Sequence, residues 1–334
     1  MIKVLLGFAV LATLIYGCEK EEESSTPERL EVGITPFLDE AATFVAKEKG
    51  FFAEEGLRVE LRRNEAGKHS IKQLADDQID IAHVAETPLS YAFLDPTYLP
   101  GGKAEDVLVF ADLMYTNVIQ KVIARADMGI EKPGDIKNRK VGFYQGTQSD
   151  YHLSSFLLEN QLSVEEINQQ SLPPLQQLEA FRNGEIVAMV NWEPHATQAL
   201  MEMPDKAHEL RTQLTYSTLW LATAKDQFLE NHPQVVKSYL KALRKAQKWI
   251  KANEEPAKEI VAYHTDSNVE VLDEIWDEIA YDLSLSERML FLLDEQARWM
   301  YEENKIDDQT FDFAEKVKFE PMEEVYPEGI TIIK

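Results

Sequence analysis

A pattern of strand, loop and helix occurs twice in this chain, about one hundred residues apart, and it limits the possible folds more than any single motif. In the first copy, residues 30–34 alternate as a short strand does, and residues 79–84 form another strand. In the second copy, residues 140–144 and 186–190 take the same places. Strands that alternate with helices pack into mostly parallel sheets covered by helices. The repeat therefore predicts an α/β chain with two such units.

The loops after these strands are the predicted ligand-binding positions, because ligands in open α/β sheets bind beyond the carboxyl ends of the strands. Each unit offers two loops: residues 35–38 and 86–89 in the first, and residues 145–149 and 191–195 in the second. Two units that face each other form a clamp. The residues that we predict to bind the ligand are Thr35, Pro36, Phe37, Glu86, Thr87, Tyr144, Gly146, Thr147, Gln148, Ser149, Asn191, Trp192 and Glu193.

Two of these loops have a specific chemistry. Residues 146–149 open a helix, where backbone N–H groups and the positive end of the helix dipole favour an anion. The alternative is that Thr147 or Ser149 only caps its own helix. Trp192 and Glu193 either pack on a ligand and accept a hydrogen bond from its amine, or belong to the core and bond to nearby backbone.

Composition excludes several classes of function. The chain has 59 acidic residues against 34 Lys and Arg, a formal charge of −25, so it lacks the basic surface that nucleic-acid binding needs. Its seven histidines lack the spacing of zinc-protease ligands, and no nucleophile-elbow or P-loop motif occurs. We therefore predict no catalytic residue, no metal and no cofactor.

The N-terminus is typical of a targeting segment. Residues 4–16 form an apolar run that is shorter than a bilayer span of ~20 residues but suits a signal peptide. The sequence IYGC at 15–18 resembles the processing box of bacterial lipoproteins. We expect a signal peptide over residues 1–17, a lipid on Cys18 and a flexible tether over residues 18–28. Cys18 is the only cysteine, so intramolecular disulfides are impossible.

Residues 45–57, VAKEKGFFAEEGL, resemble the A-K-E-x-G-x-F-x-x-x-G-L signature of the nitrate-, sulfonate-, taurine- and thiamine-pyrimidine-binding proteins of ABC importers. The motifs DIA at 80–82, GT at 146–147 and WEP at 192–194 follow in that family's order. The resemblance covers residues 30–194 well and the helical remainder more loosely. It implies the type II periplasmic-binding fold, in which two lobes hold a ligand in the cleft between them.

By that plan, residues 29–115 and 220–334 form the first lobe and residues 116–219 the second, each a mostly parallel sheet flanked by helices. The resemblance implies an extracytoplasmic, monomeric lipoprotein that touches the membrane only through its lipid anchor. By the same resemblance, we expect the chain to capture a small organic solute by lobe closure and to deliver the solute to an ABC permease and its ATPase.

The favoured solute is a sulfonate such as taurine, because a helix start suits an anion and glutamates suit an amine. The alternative solute is a thiamine-related pyrimidine. The alternative of another class is a pyrimidine-metabolism enzyme on the same fold, which carries a cysteine-rich motif that this chain lacks.

Overall fold

Strands and helices alternate along the chain as the repeat predicts. The computed structural model describes residues 27–99, 104–211, 216–303, 305–307 and 311–333. The strands are β1 (Glu28–Ile34), β2 (Leu57–Arg63), β3 (Ile81–Ala85), β4 (Val107–Thr116), β5 (Gln120–Arg125), β6 (Lys140–Phe143), β7 (Asn168–Ser171), β8 (Ala188–Trp192), β9 (Ala207–Glu209), β10 (Thr218–Lys225) and β11 (Ile279–Ala280).

The helices are α1 (Ala41–Glu48), α2 (Phe51–Glu54), α3 (Gly67–Ala75), α4 (Glu86–Leu94), α5 (Gln148–Glu159), α6 (Pro174–Arg182), α7 (His195–Glu202), α8 (Asp226–Asn231), α9 (Pro233–Ala252), α10 (Glu254–Thr265), α11 (Val269–Asp273), α12 (Glu287–Glu302) and α13 (Glu320–Val325). Short 3-10 turns cover Leu38–Glu40, Ala126–Met128, Pro133–Ile136, Val164–Glu166, Trp276–Glu278, Phe313–Lys316 and Pro327–Gly329. Among these described helices, none is both long and apolar enough to cross a membrane.

The strands form two sheets. One has six strands in the order β11-β4-β10-β3-β1-β2, and the other has five in the order β7-β6-β8-β5-β9. We call the six-stranded sheet with its helices the first lobe and the five-stranded sheet with its helices the second lobe. The chain passes to the second sheet between Thr116 and Gln120 and returns between Glu209 and Thr218. The lobe bounds given above stay predictions.

Both sheets are mixed, so the prediction of mostly parallel sheets is wrong in this detail. β1 pairs in parallel with β2 and β3, and β6 with β7 and β8. The strands beside the crossings, β4, β5 and β10, pair antiparallel with their neighbours. Parallel pairing needs a long crossover connection. β4, β5 and β10 adjoin the segments that carry the chain from one sheet to the other, so they are not joined to their sheet neighbours by the strand–helix–strand connection that parallel pairing uses.

Helix α9 packs its apolar face into the core of the first lobe, as its spacing predicts. Tyr239, Leu240 and Leu243 on that face are fully buried. Proline does not end this helix, which stops at Ala252, and Pro256 lies in the first turn of α10, where proline costs no helical hydrogen bond.

The two ends of the described chain also belong to the first lobe. Glu28, the last residue of the predicted tether, is the first residue of β1 and pairs with Leu57. The signal peptide and Cys18 lie outside the described residues. At the other end, α13 packs on α9 with Met322 fully buried, and Ile330 bridges to Leu285. The C-terminal segment therefore covers part of the first lobe.

Candidate ligand-binding site

A cavity lies between the two lobes, where β1, β2 and β3 end. Its free space is small, about 20 Å³, which is room for about one water molecule. Side chains from both lobes and from the first crossing segment enclose it. The lining residues in the described part of the chain are Thr35, Phe37, Asp39, Ala66, Gly67, Ala85, Pro88, Ile119, Thr147, Gln148, Trp192 and Trp220.

Parallel pairing brings three of these loops together. β1, β2 and β3 run in the same direction, so Thr35, Ala66 and Ala85 come at or after the same ends of neighbouring strands. Gly67 then opens α3 beside the cavity. A Cβ at this position would lie 3.0 Å from the Cα of Val84 and 3.2 Å from the ring of Trp220. Helix α3 approaches the sheet this closely because residue 67 is glycine.

A buried polar network holds Trp220 in the cavity wall. The indole N–H of Trp220 donates to Glu40 Oε1 at 2.9 Å. Glu40 Oε2 lies 2.8 Å from His83 Nδ1, and His83 Nε2 lies 2.8 Å from the hydroxyl of Tyr239. Glu40, His83 and Tyr239 are fully buried, so each needs these partners to offset the loss of water.

Side chains meet across the cleft on the cavity side. Phe37 of the first lobe meets Trp192 of the second edge to face, with ring centroids 5.4 Å apart. The amide nitrogen of Gln148 donates to Glu86 Oε1 at 2.8 Å and to the hydroxyl of Thr218 at 2.9 Å. The lobes are therefore closed on each other, and a solute larger than water enters only if they open.

A second group of contacts lies further along the cleft. Lys68 donates to the carbonyl of Gln145 at 3.0 Å and lies 3.4 Å from the centroid of the Tyr144 ring. Burial lowers the pKa of Lys68 to about 8. The hydroxyl of Tyr98 donates to the carbonyl of Gly146 at 2.9 Å. These contacts join the first lobe to the loop before α5.

Two buried carboxyl groups dominate the electrostatics of the site. Burial raises the pKa of Glu86 to about 7, although hydrogen bonds from Gln148 and from the backbone of Leu219 oppose that rise. Burial, with the neighbouring charge of Glu40 as the second cause, holds the pKa of Asp39 well above its usual range. A buried carboxylate is costly without a positive partner.

The structure places five of the thirteen predicted site residues on the cavity: Thr35, Phe37, Thr147, Gln148 and Trp192. For Thr147 both alternatives hold together. It lines the cavity, and its hydroxyl oxygen also accepts a hydrogen bond from the backbone of Ser149 at 3.3 Å, so it caps α5 as well.

Eight predicted residues do not line the cavity: Pro36, Glu86, Thr87, Tyr144, Gly146, Ser149, Asn191 and Glu193. Three of them use their polar atoms elsewhere. Ser149 donates to the carbonyl of Val190, and Asn191 donates to the carbonyl of Pro174. Glu193 accepts from the backbone and hydroxyl of Thr197 and pairs with Lys121 at 2.5 Å.

The other five lie close to the cavity without lining it. Glu86 reaches it only through Gln148, and Tyr144 lies under Lys68. Gly146 donates its N–H to Asp150 at 2.9 Å. Thr87 is fully buried and Pro36 partly so.

Among the remaining lining residues, Pro88 lies in the predicted loop 86–89, and the sequence prediction missed the others. Ala66 and Gly67 follow β2, a third parallel strand whose end points to the same edge, and counting its loop would have found them. Asp39 is easily taken for a helix cap, but its side chain caps no helix. Trp220 comes from the returning strand β10, and only the tertiary fold brings it to the cavity.

A family model described as the NMT1-like family matches residues 23–264, more than half of the 334 residues. The chain belongs to the NMT1-like family. One relative of this NMT1-like protein comes from Bacillus subtilis (strain 168) and is provisionally named an aliphatic sulfonates-binding protein. The two are 23% identical over 282 residues, which is 82% of each chain.

Solved structures confirm the predicted two-lobed fold of this NMT1-like protein. The periplasmic aliphatic sulphonate binding protein SsuA from Escherichia coli matches with a TM-score of 0.71 at 17% identity, over 90% of this chain and 99% of that one. The alkanesulfonate-binding protein SsuA from Xanthomonas axonopodis pv. citri, bound to MOPS, matches with a TM-score of 0.73 at 15% identity, over 89% and 100%. The predicted resemblance to sulfonate-binding proteins is confirmed.

The same fold also occurs in an enzyme. The desulfurization enzyme DSZB matches with a TM-score of 0.67 at 13% identity, over 90% of this chain and 99% of that one. Likeness at this identity shows the fold alone, and function has to be argued from the site.

Proposed function

We propose that this NMT1-like protein is the extracytoplasmic solute-binding lipoprotein of an ABC importer, and that it captures a small sulfonate by closure of its two lobes. The observation that carries the proposal is the cavity, because residues of both lobes line it and hydrogen bonds join the two lobes beside it. A ligand that contacts both lobes at once stabilises the closed form over the open one. The permease and ATPase would then receive the solute from the closed protein.

The geometry supports an anionic group on the ligand. Helices α3 and α5 begin at the cavity from opposite lobes, at Gly67 and Gln148. The N–H groups of a first helical turn have no partner within the helix, and the helix dipole places positive potential there. The sulfonate binders among the relatives agree with this choice.

The alternative solute remains a thiamine-related pyrimidine. The observation that favours it is the aromatic wall of Phe37, Trp192 and Trp220, on which a flat ring can pack. Nitrate is the weakest candidate, since the described lining residues include no Lys or Arg. The alternative to a binding protein is an enzyme, since DSZB is an enzyme with this fold. Chemical conversion of a bound sulfonate or pyrimidine would favour that alternative.

Thermal unfolding of the chain from residue 18 tests the proposal. The panel comprises MOPS, ethanesulfonate, taurine, nitrate and a thiamine pyrimidine precursor. Solute at ~100 times its dissociation constant adds about 2.7 kcal/mol of apparent stability.

We expect the sulfonates to stabilise the unsubstituted chain, and this stabilisation to be lost in Trp192→Ala. The matched control is Trp249→Ala, on a helix away from the cavity, which should respond as the unsubstituted chain does. Stabilisation by the pyrimidine alone would replace the sulfonate with the alternative solute.

A further inference from the structure

We propose, on the basis of the proposed function, that Asp39 forms a subsite for a cationic nitrogen together with Phe37, Trp192 and Trp220. The solute would then be a zwitterion, with an ammonium group at Asp39 and a sulfonate at the helix starts. The glutamates predicted to bind an amine, Glu86 and Glu193, do not line the cavity. They therefore supply no carboxylate to an ammonium group bound there.

Two adjacent carboxyl groups, Asp39 and Glu40, differ in how they are satisfied. Glu40 is fully buried and has three contacts, one from Trp220 and two with the imidazole of His83. Asp39 is 8% exposed, and its one side-chain partner among the described residues is the hydroxyl of Thr35 at a long 3.4 Å. Backbone N–H groups of Asp39 and Glu40 also donate to this carboxyl group, but among the described residues no side-chain N–H group does so, in contrast to its neighbour Glu40.

The charge of the cavity wall is set by Asp39 alone. It is the one ionisable side chain among the described lining residues. Burial, with Glu40 as the second cause, raises its pKa well above the usual range. A cation in the cavity reverses that effect, because an opposite charge within a few ångströms favours the carboxylate. The bound nitrogen therefore supplies the missing partner of a buried acid.

The rings around Asp39 suit the same ligand group. Phe37 and Trp192 meet at 5.4 Å, and Trp220 lines the cavity beside them. The indole N–H of Trp220 is occupied by Glu40, so Trp220 offers the cavity its ring surface rather than a donor. Aromatic faces attract cations and repel anions. A carboxylate among aromatic rings is thus selective for an ammonium group over a neutral hydroxyl.

Isothermal titration with matched sulfonates tests the subsite. Taurine carries an ammonium group where isethionate carries a hydroxyl, and the two are otherwise alike. We expect the full chain to bind taurine at least about tenfold more tightly than isethionate, since charge-assisted hydrogen bonds are the stronger ones. In Asp39→Asn the taurine affinity should fall about 30-fold. Isethionate affinity should stay within a few-fold, which shows that the variant is folded and still closes.

The outcomes separate the subsite from the proposed function. Equal affinities for taurine and isethionate, or the same preference in Asp39→Asn as in the unsubstituted chain, would overturn the ammonium subsite and leave sulfonate capture standing. If none of the sulfonates binds, both the proposed function and the subsite fall. Loss of isethionate binding in Asp39→Asn, with the far-ultraviolet circular dichroism unchanged, would also overturn the subsite, because Asp39 would then act on the cleft as a whole.

Discussion

The substitution Glu86→Gln should remove a large part of the pH dependence of stability near neutrality. Glu86 is buried at the start of α4, and its carboxyl oxygens accept from Gln148 at 2.8 Å and from the backbone of Leu219 at 3.1 Å. Burial raises its pKa from 4.5 to about 7. Between these two values the folded chain retains a proton that the unfolded chain has released, so unfolding is favoured as the pH rises.

The size of the effect follows from the two pKa values. Their difference of about 2.5 corresponds to about 3 kcal/mol, at 1.36 kcal/mol for each pKa unit. The contribution of Glu86 is fully present below its unfolded pKa and is lost as the pH rises through its folded pKa. Glutamine does not titrate, so the variant should lack this loss.

Urea unfolding measures this pH-dependent loss of stability. The free energy of unfolding of the unsubstituted chain and of Glu86→Gln is compared at about pH 4.5 and about pH 8, and the unsubstituted chain should lose about 3 kcal/mol more. Glu179→Gln changes an exposed glutamate on α6 and should behave as the unsubstituted chain does. If Glu86→Gln loses as much stability over this range as the unsubstituted chain, Glu86 is ionised in the folded protein and burial does not raise its pKa.

Three further predictions concern other parts of the molecule. Gly146→Ala should cost about 1–3 kcal/mol in urea unfolding, because Gly146 has a φ of 71° and a Cβ there would lie 3.0 Å from the ring of Tyr98; an unchanged midpoint would contradict this. Glu40→Ala should cost about 1–3 kcal/mol for each buried group left without a partner and shift the fluorescence of Trp220, since it removes the partner of the Trp220 indole and one of the two partners of His83; a loss below 1 kcal/mol would argue against the network. Cys18→Ser should abolish lipid attachment in a bacterial host, as read by mass spectrometry, and an unchanged lipid mass would place the lipid elsewhere.

The lining residues that the sequence predicts and those that it misses differ in the kind of information they need. Thr35, Thr147 and Gln148 could be predicted from the sequence because strand ends and helix starts are local features. Among the neighbours Asn191, Trp192 and Glu193, only Trp192 reaches the cavity. Successive side chains at the end of a strand point to opposite sides, and the sequence does not say which side faces the cleft. Trp220 depends on a strand that returns from the other lobe.

The sequence predicts the two-lobed fold better than it predicts the strand directions within each sheet. Alternating strands and helices, the repeat and the apolar face of α9 all predict the two-lobed α/β fold. The direction of β4, β5 and β10 depends on where the chain crosses between the sheets, and no residue at the crossings encodes it.

The position of β10 sets the order in which the chain can fold. All strands of the second sheet lie within residues 120–209, so that sheet is complete once this single stretch is available. The first sheet is different. Its strand β10 lies between β3 and β4, and β10 is synthesised only after all strands of the second sheet. Pairings this distant in sequence form slowly. A nascent chain that ends before Thr218 therefore lacks the strand that joins β3 to β4, and the pocket wall at Trp220 can form only after the second sheet has been synthesised.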